Sequence, residues 1–199
     1  MPQPSIKERQ RQVREDAILE AAHALLGQQG YAEMSMDNLA AQLGISKATL
    51  YQHFESKEDV AVHVVVRLMQ RGEALLAEAT VGQPAIGVLE CWLRRGLELR
   101  MATPSQGMSA LPHNITQHPR YQQQNAQMHA QVSALIERAK AEGDADPAVA
   151  TAIAARMMMR LFRGDYDDFV ENKQYTREEL SAALVALVMN GLRARSIER

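Results

Sequence analysis

The segment SKATLYQ, residues 46–52, carries a dense set of polar side chains that could contact a nucleic acid. Lys47 can donate hydrogen bonds to O6 and N7 of guanine, and Gln52 can form a bidentate pair with adenine. Such contacts require a rigid element that projects the side chains into a groove of the duplex. The flanking residues must therefore supply a scaffold that presents this segment outward.

The pattern around this segment predicts two short helices joined by a tight turn. Leu39 and Ala40 lie on the inner face of the first helix. Gly44 interrupts the pattern where the chain must bend, because a residue without Cβ enters the left-handed region cheaply. Ser46 can accept hydrogen bonds from the free N–H groups that open the second helix, and Leu50 is its inward anchor. Together these features predict a helix-turn-helix.

The stretch SKATLYQHF (46–54), followed by SKEDV (56–60), resembles the DNA-binding signature of TetR/AcrR-type transcriptional regulators. A helix-turn-helix spacing alone is moderately specific, but its combination with the Leu-Tyr-x-His-Phe-x-x-Lys tail near the N-terminus is strong. The resemblance covers roughly residues 10–60, and the remainder shares an all-helical layout of suitable length. It implies an all-α fold of about nine helices, with a DNA-binding domain (1–56) and a ligand-binding and dimerisation domain (57–199).

The resemblance also implies roles for individual residues of the DNA-binding segment. Its base-reading candidates are Lys47, Ala48 and Gln52. The resemblance implies that the sugar-phosphate backbone is gripped by Ser46, Thr49, Tyr51, His53 and Lys57. Ser35 is a further DNA-binding candidate. Structural roles compete with these assignments, since Tyr51 could instead be half-buried against the first helix.

Downstream, the pattern predicts long helices separated by Gly- and Pro-containing breaks. Asp146-Pro147 predicts the start of an eighth helix that continues to about Val170. Thr176 opens a ninth helix with a capping box. In the family, the matching terminal pair forms a homodimer by four-helix packing, although plain core helices would show the same periodicity. The predicted interface residues are Ile153, Met157, Leu161, Leu180, Leu184, Leu187, Val188 and Gly191.

The family architecture places an effector cavity among the fourth to eighth helices. Methionines at helical spacing are mostly core filler, but flexible thioethers also suit a cavity that accepts several ligands. The predicted lining residues are His63, Arg67, Trp92, Met101, His113 and Met128. Cys91, beside Trp92, could sense redox state, but a lone cysteine on an apolar helix is usually buried and inert.

Composition and charge limit the class of protein. Apolar residues make up 46% and charged residues 23% of the chain, which is ordinary for a soluble globular protein. No apolar run approaches the length of a membrane span, and a single cysteine suits the cytoplasm. The net charge of −2 argues mildly against nucleic-acid binding, but the basic residues are positioned near the recognition segment. Arg9, Arg11 and Arg14 could form either a solvated face or a contact to the DNA backbone.

The sequence contains no recognisable arrangement of catalytic residues. There is no Gly-rich phosphate loop, nucleophile elbow or pair of catalytic acids, and the six histidines lack metal-ligand spacing. We therefore expect no cofactor and no metal. The resemblance implies a ligand-responsive regulator, more often a repressor, that binds a palindromic operator in double-stranded DNA as a homodimer. The alternative is a small all-helical enzyme or ligand carrier in which the N-terminal unit is structural.

Overall fold

The computed structural model describes residues 5–79, 82–102, 111–164, 166–172 and 175–194. The chain folds into α-helices, and no β-strand occurs within these ranges, so the predicted all-α class is confirmed. The helices are α1 (Ile6–Glu33), α2 (Met36–Leu43), α3 (Lys47–Tyr51), α4 (Lys57–Ala79), α5 (Ala85–Ala102), α6 (His113–Gln117), α7 (Pro119–Glu142), α8 (Thr151–Leu161), α9 (Asp167–Glu171) and α10 (Arg177–Leu192). No helix among the described residues is both long and apolar enough to cross a membrane.

The helices group into two compact units. Unit 1 comprises residues 1–67 and 106–121, and unit 2 comprises residues 68–105 and 122–199. Helix α4 contributes its first half to unit 1 and its second half to unit 2, and α7 contributes its first residues to unit 1.

Unit 1 is built on α1, against which α2 packs, while α3 packs on α2. The helical backbone of α1 is interrupted at Gly30 (φ 81°, ψ 169°), a conformation that favours glycine. The N–H of Met34 bonds to the carbonyl of Gly30 at 3.2 Å, which redirects the chain toward α2. The fully buried side chains of this unit include Ile18, Leu26, Met34, Leu39, Leu50 and Ile115.

A polar clasp joins α1 to the first half of α4 within unit 1. The Arg67 guanidinium lies 3.2 Å from a carboxylate oxygen of Asp16 and 3.3 Å from one of Glu20. Its Nη1 also donates to the backbone carbonyl of Asp16 at 3.4 Å. These partially exposed pairs fix the direction of α4 more than they add to stability, because solvent-accessible ion pairs contribute little.

Unit 2 surrounds a continuous apolar core to which α5 and α10 contribute most of the contacts. Trp92 lies at its centre, 1% exposed, with its indole N–H donating to the Gly72 carbonyl of α4 at 3.1 Å. This bond satisfies the polar edge of a buried tryptophan. Glu142, at the end of α7, accepts from the free N–H of Ala85 at 2.7 Å and so caps the start of α5.

The predicted single eighth helix is wrong at both ends. Helix α8 begins at Thr151 because the backbone before it is tied to the end of α10, with the N–H of Asp146 donating to the Leu192 carbonyl at 2.9 Å. The Asp146 carboxylate accepts from the N–H of Ala148 at 2.8 Å, which closes a turn instead of capping a helix. At its other end α8 stops at Leu161, and α9 begins at Asp167.

Candidate nucleic-acid interface

The turn between α2 and α3 has the geometry that the sequence predicts. Gly44 adopts the left-handed conformation (φ 64°, ψ 28°), and its N–H bonds to the carbonyls of Ala40 and Ala41 at the end of α2. Ser46 caps α3 by accepting from the N–H of Thr49 at 3.0 Å. These local hydrogen bonds fix the backbone at the end of α2 and at the start of α3, and so hold α3 in its orientation to α2.

Helix α3 buries one side chain and presents the others. Leu50, the predicted anchor, is completely buried, and Phe54 after the helix is 3% exposed. On the opposite side Lys47, Ala48 and Gln52 are exposed. The three side chains with base-reading potential therefore share an open surface, available for contacts in a groove.

The polar side chains at the edges of α3 have distinct partners. The Thr49 hydroxyl is half-buried and lies 2.8 Å from the Ser46 hydroxyl. Tyr51 is 46% exposed, so about half of its surface is covered, as the alternative of a half-buried ring expects. Ser35 caps α2 in a reciprocal pair with Asn38, accepting from its N–H at 3.1 Å and donating its own N–H to the amide oxygen at 2.8 Å.

Lys47 is held by a carboxylate from the preceding helix. Its ammonium lies 2.8 Å from Asp37 Oδ1 and 3.0 Å from Oδ2, and both side chains are largely exposed. The hydrogen bond from Asp37, followed by its charge, raises the pKa of Lys47 above its ordinary value. Lys47 therefore stays protonated at neutral pH while remaining free to exchange Asp37 for another anionic or acceptor group.

His53 faces α1 instead of standing free. Its side chain is 8% exposed, and Nδ1 lies 3.2 Å from Oε1 of Glu15. The same carboxylate oxygen accepts from Arg11 Nε at 2.8 Å. Burial works to raise the pKa of Glu15, but the hydrogen bonds from Arg11 and His53 outweigh it and lower that pKa. This three-residue chain connects the end of α3 to α1.

Lys57, at the start of α4, reaches back toward the end of α1. Its ammonium donates to the Ala32 carbonyl at 2.9 Å and lies 4.4 Å from the centroid of the Tyr31 ring, a cation–π distance. Of the predicted residues, Lys47, Ala48 and Gln52 are thus exposed on α3. His53 and Lys57 instead contact α1.

Glu15, Asp37 and Tyr31 brace the predicted side chains, and sequence reasoning did not find them. Asp37 lies ten residues before Lys47, in a different helix, and no helical spacing rule connects the two. No local signal pointed to Glu15, because it meets His53 across 38 residues of chain.

The six predicted effector-contacting residues divide between the units. His63, Arg67 and His113 lie in unit 1, and Trp92, Met101 and Met128 lie in unit 2. Arg67 is engaged in the clasp with Asp16 and Glu20 described above.

In unit 1, His63 Nδ1 donates to the Asp59 carbonyl at 2.8 Å, and its Nε2 accepts from the guanidinium of Arg120. In unit 2, Trp92, Met101 and Met128 belong to one apolar core cluster, and each is less than 10% exposed.

The predicted dimer residues on α8 and α10 separate into exposed and buried ones. Ile153 (67% exposed), Met157 (55%) and Leu187 (73%) are large apolar side chains on the surface. Gly191 is also exposed, whereas Leu161, Leu184 and Val188 are half-buried and Leu180 lies in the core of unit 2.

Among the described residues, no group of three or more His, Cys, Asp or Glu side chains is arranged to hold a metal ion. Cys91 is half-buried on α5, next to the Trp92 core.

Residues 18–64 match the family model described as bacterial regulatory proteins, tetR family. The chain is also similar to the HTH-type transcriptional regulator EthR of Mycolicibacterium smegmatis, with 38% identity over 86 residues. That match covers 43% of this chain and 39% of the relative, so the chain spans well under half of that relative's length in the alignment. The matched segment includes the whole helix-turn-helix and the start of α4.

Solved structures extend the likeness to the whole fold. A TetR-family transcriptional regulator from Agrobacterium tumefaciens has a TM-score of 0.72 at 19% identity, covering 92% of this chain and 100% of that one. FadR from Bacillus subtilis, solved with stearoyl-CoA, has a TM-score of 0.68 at 17% identity, covering 87% and 97%.

The fold and the site define a helix-turn-helix protein with a helical C-terminal portion. Its N-terminal segment, residues 18–64, is similar to that of the tetR family of bacterial regulatory proteins.

Proposed function

We propose that this protein is a ligand-responsive transcriptional regulator, not an enzyme, and that it represses by binding a two-fold symmetric operator as a homodimer. The observation that carries the proposal is the presentation of Lys47, Ala48 and Gln52 together on the exposed side of α3. Lysine and glutamine supply donors and acceptors for the major-groove edges of bases, and an alanine methyl can contact thymine.

The flanking side chains fit contacts to the DNA backbone. Tyr51 and the Ser46–Thr49 hydroxyl pair lie beside the base-reading group and can donate to phosphate oxygens. Lys57 adds a positive charge at the start of α4. His53 takes a different role in this proposal, since its contact with Glu15 supports the end of α3 against α1.

Binding to bulk duplex DNA tests this proposal. We expect the wild-type protein to bind a mixed-sequence duplex at low salt and to release it as salt rises, because phosphate contacts displace counterions. Tyr51→Ala should weaken binding severalfold. The matched control is Tyr175→Ala, a similarly exposed tyrosine of unit 2, which should bind as the wild type does. Equal affinities for all three proteins, or no binding at any salt concentration, would contradict the proposal.

The homodimer is proposed from the exposed apolar side chains of α8 and α10. Ile153 and Met157 are four residues apart on α8, and Leu187 is exposed on α10, a helix that contacts α8. Large aliphatic side chains this exposed are costly in water, and burying them against a second copy would recover about 25 cal/mol per Å² of apolar area. A homodimer would supply two copies of α3, as a two-fold symmetric operator requires.

The effector site is proposed for the C-terminal helices. Support comes from the apolar and polarisable surroundings of Trp92, where Met128 lies near Gly72 and Met101 belongs to the same cluster. FadR of Bacillus subtilis, similar in fold, was solved with stearoyl-CoA. In the proposed switch, effector binding shifts α4 and moves the two α3 helices off their groove spacing. For a hundredfold loss of DNA affinity, the effector must bind the conformation that does not bind DNA more tightly than the DNA-binding conformation, by about 2.7 kcal/mol.

The fluorescence of Trp92, the single tryptophan of the chain, tests the switch. A fatty acyl-CoA is a suitable first probe because it combines an apolar chain with an anionic head. Saturable change of Trp92 emission should coincide with loss of duplex binding, and the duplex should weaken probe binding by the same factor. Probe binding that leaves the affinity for DNA unchanged would refute the switch while leaving the DNA-binding proposal intact.

A further inference from the structure

Glu73, on the second half of α4, faces a row of glutamines on α7 within unit 2. Its Oε2 accepts from Nε2 of Gln124 at 2.8 Å, and its Oε1 accepts from Nε2 of Gln127 at 2.5 Å and from Nε2 of Gln131. The three glutamines recur at spacings of three and four residues, which places them on one side of α7. We call these four residues the carboxylate cluster.

The cluster leaves the charge of Glu73 without a counter-ion. No lysine, arginine or histidine within the described ranges pairs with this carboxylate. Glu90 on α5 differs, since it pairs with Arg94 at 2.9 Å and with Arg193 at 2.5 Å. A carboxylate offers about four acceptor positions, and three amides do not fill them all. Because amides carry no charge, Glu73 keeps an acceptor position and a negative charge that a cation can use.

The cluster has a buried end and an open end. Gln124 is 8% exposed, and its Oε1 accepts from Nε2 of Gln70 at 3.5 Å. Glu73 and Gln131 are half-buried, and Gln127 is exposed. A small molecule can therefore reach the carboxylate from the side of Gln127, while the buried amide holds the carboxylate in place.

The carboxylate cluster adjoins the apolar core of unit 2. Gly72, directly before Glu73, accepts from the indole N–H of Trp92 at 3.1 Å. A Cβ atom at Gly72 would lie 3.7 Å from Cε of Met128, the residue after Gln127. Trp92 and Met128 both belong to the core cluster. A negative charge thus lies between solvent and an apolar, polarisable core, which suits a molecule with a cationic head and an apolar body.

We propose that the carboxylate cluster is the head-group site of the effector and that it binds a primary ammonium carried by an apolar body. An ammonium has three N–H donors. One would bond to Glu73, and the others to the amide oxygens of Gln127 and Gln131 once these amides have rotated by half a turn. The inference rests on the effector switch proposed above and names the chemical class of its ligand. Glu73 disfavours an anionic head at this position.

The test uses octylammonium, octanol and octanoate, which share an apolar chain and differ in the charge of the head. Each is titrated below its micelle concentration, and the emission of Trp92 reports binding because its indole bonds to the residue before Glu73. Full-length wild type is compared with Glu73→Gln. The matched control is Glu98→Gln, which removes one negative charge from the exposed surface of α5.

A third variant, Gln127→Lys, keeps Glu73 and supplies an ammonium from the protein itself. The position is exposed and lysine is a good helix former, so this variant should fold even if Glu73→Gln does not. Circular dichroism verifies the helical content of every variant.

We expect the wild type to bind octylammonium about tenfold more tightly than octanol, as one hydrogen bond to a charged group allows. Glu73→Gln and Gln127→Lys should lose this preference and keep the affinity for octanol, whereas Glu98→Gln should behave as the wild type does. Equal affinities of the wild type for octylammonium and octanol would overturn the proposal. So would an octylammonium affinity that both cluster variants retain, or emission that none of the three compounds changes.

The effector switch is tested separately by measuring duplex binding in the same titrations. If octylammonium binds through Glu73 but the affinity for DNA stays fixed, the switch fails and the head-group site stands. If octanol or octanoate releases the duplex while octylammonium shows no preference for Glu73, the switch stands and the head-group site fails.

Discussion

The ring of Phe162 stands edge-on to the indole of Trp92, with centroids 4.8 Å apart and planes inclined at 76°. Gly96 makes this approach possible, since a Cβ atom at that position would lie 2.5 Å from Phe162 Cε1. The pair fixes the end of α8 against α5, where Arg100 also donates to the carbonyls of Phe162 and Gly164. The packing of Phe162 against Trp92 in unit 2 therefore requires a residue without a side chain at position 96.

Gly96→Ala should displace the Phe162 ring and lower the free energy of unfolding by about 1–3 kcal/mol, as overpacking does. Emission from Trp92 should shift because its aromatic neighbour moves. Gly87→Ala is the matched control on the same helix, where a new Cβ meets nothing within 4 Å, and it should be neutral or stabilise by up to about 1 kcal/mol. Chemical denaturation followed by Trp92 fluorescence measures both variants. Equal stabilities would show that the Phe162 contact is dispensable.

His129 gives the C-terminal unit a predictable response to pH. Burial lowers the pKa of His129 below its ordinary value of 6.5, and the charge of Arg156 lowers it further. Below pH 6.5 the unfolded chain therefore binds a proton more readily than the folded chain does. This difference in proton binding is absent well above pH 6.5, where His129 is neutral in both states. The free energy of unfolding falls as the pH drops from 6.5 toward the pKa of His129 in the folded state.

His129→Gln should reduce the loss of stability between pH 7 and pH 5, measured by urea denaturation. Arg156→Gln should reduce it by a smaller amount, since it removes the secondary cause alone. A wild-type loss that persists unchanged in both variants would assign the pH response to other groups.

Leu187→Glu should convert the proposed homodimer to monomers. The substitution places a charge where the partner's apolar side chain would pack, and an unpaired buried charge costs several kcal/mol. Leu99→Glu is the control, because Leu99 is exposed on α5 and outside the proposed interface. Light scattering gives the mass of each protein after circular dichroism has verified folding. A folded Leu187→Glu dimer would move the interface elsewhere.

Asp37→Asn should raise the affinity for bulk duplex DNA by about two- to tenfold at low salt, because it releases Lys47 and removes a negative charge near the phosphates. Stability should change little, since both partners are largely exposed. Asp144→Asn makes the same change of net charge in unit 2 and should leave DNA affinity unchanged. An unchanged affinity in Asp37→Asn would mean that Lys47 does not approach the duplex.

The sequence predicted best those features that are set by nearby residues. Leu39, Gly44, Ser46 and Leu50 define the turn and the inward sides of α2 and α3 through local backbone geometry, and the structure has each where it was expected. Features that depend on distant residues were missed. The start of α8 is set by hydrogen bonds to the end of α10, and neither segment reveals this pairing in its own pattern.

The same reasoning explains the partial success at the candidate site. The exposed positions of α3 follow from helical periodicity once Leu50 is fixed as the inward residue. The partner of His53 lies on α1, and no spacing rule connects them. The roles of the effector and dimer residues remain predictions, because they depend on molecules beyond the single chain.

Selection from a pool of random duplexes tests the central claim most directly. The wild-type protein should enrich a two-fold symmetric motif whose half-sites are about one helical turn apart, or slightly more. Gln52→Ala, selected in parallel, should lose preference at the same position in both half-sites while keeping the symmetry, because Gln52 is proposed to contact a base and not the backbone. Recovery of no enriched motif, or of an asymmetric motif unaffected by Gln52→Ala, would contradict the account.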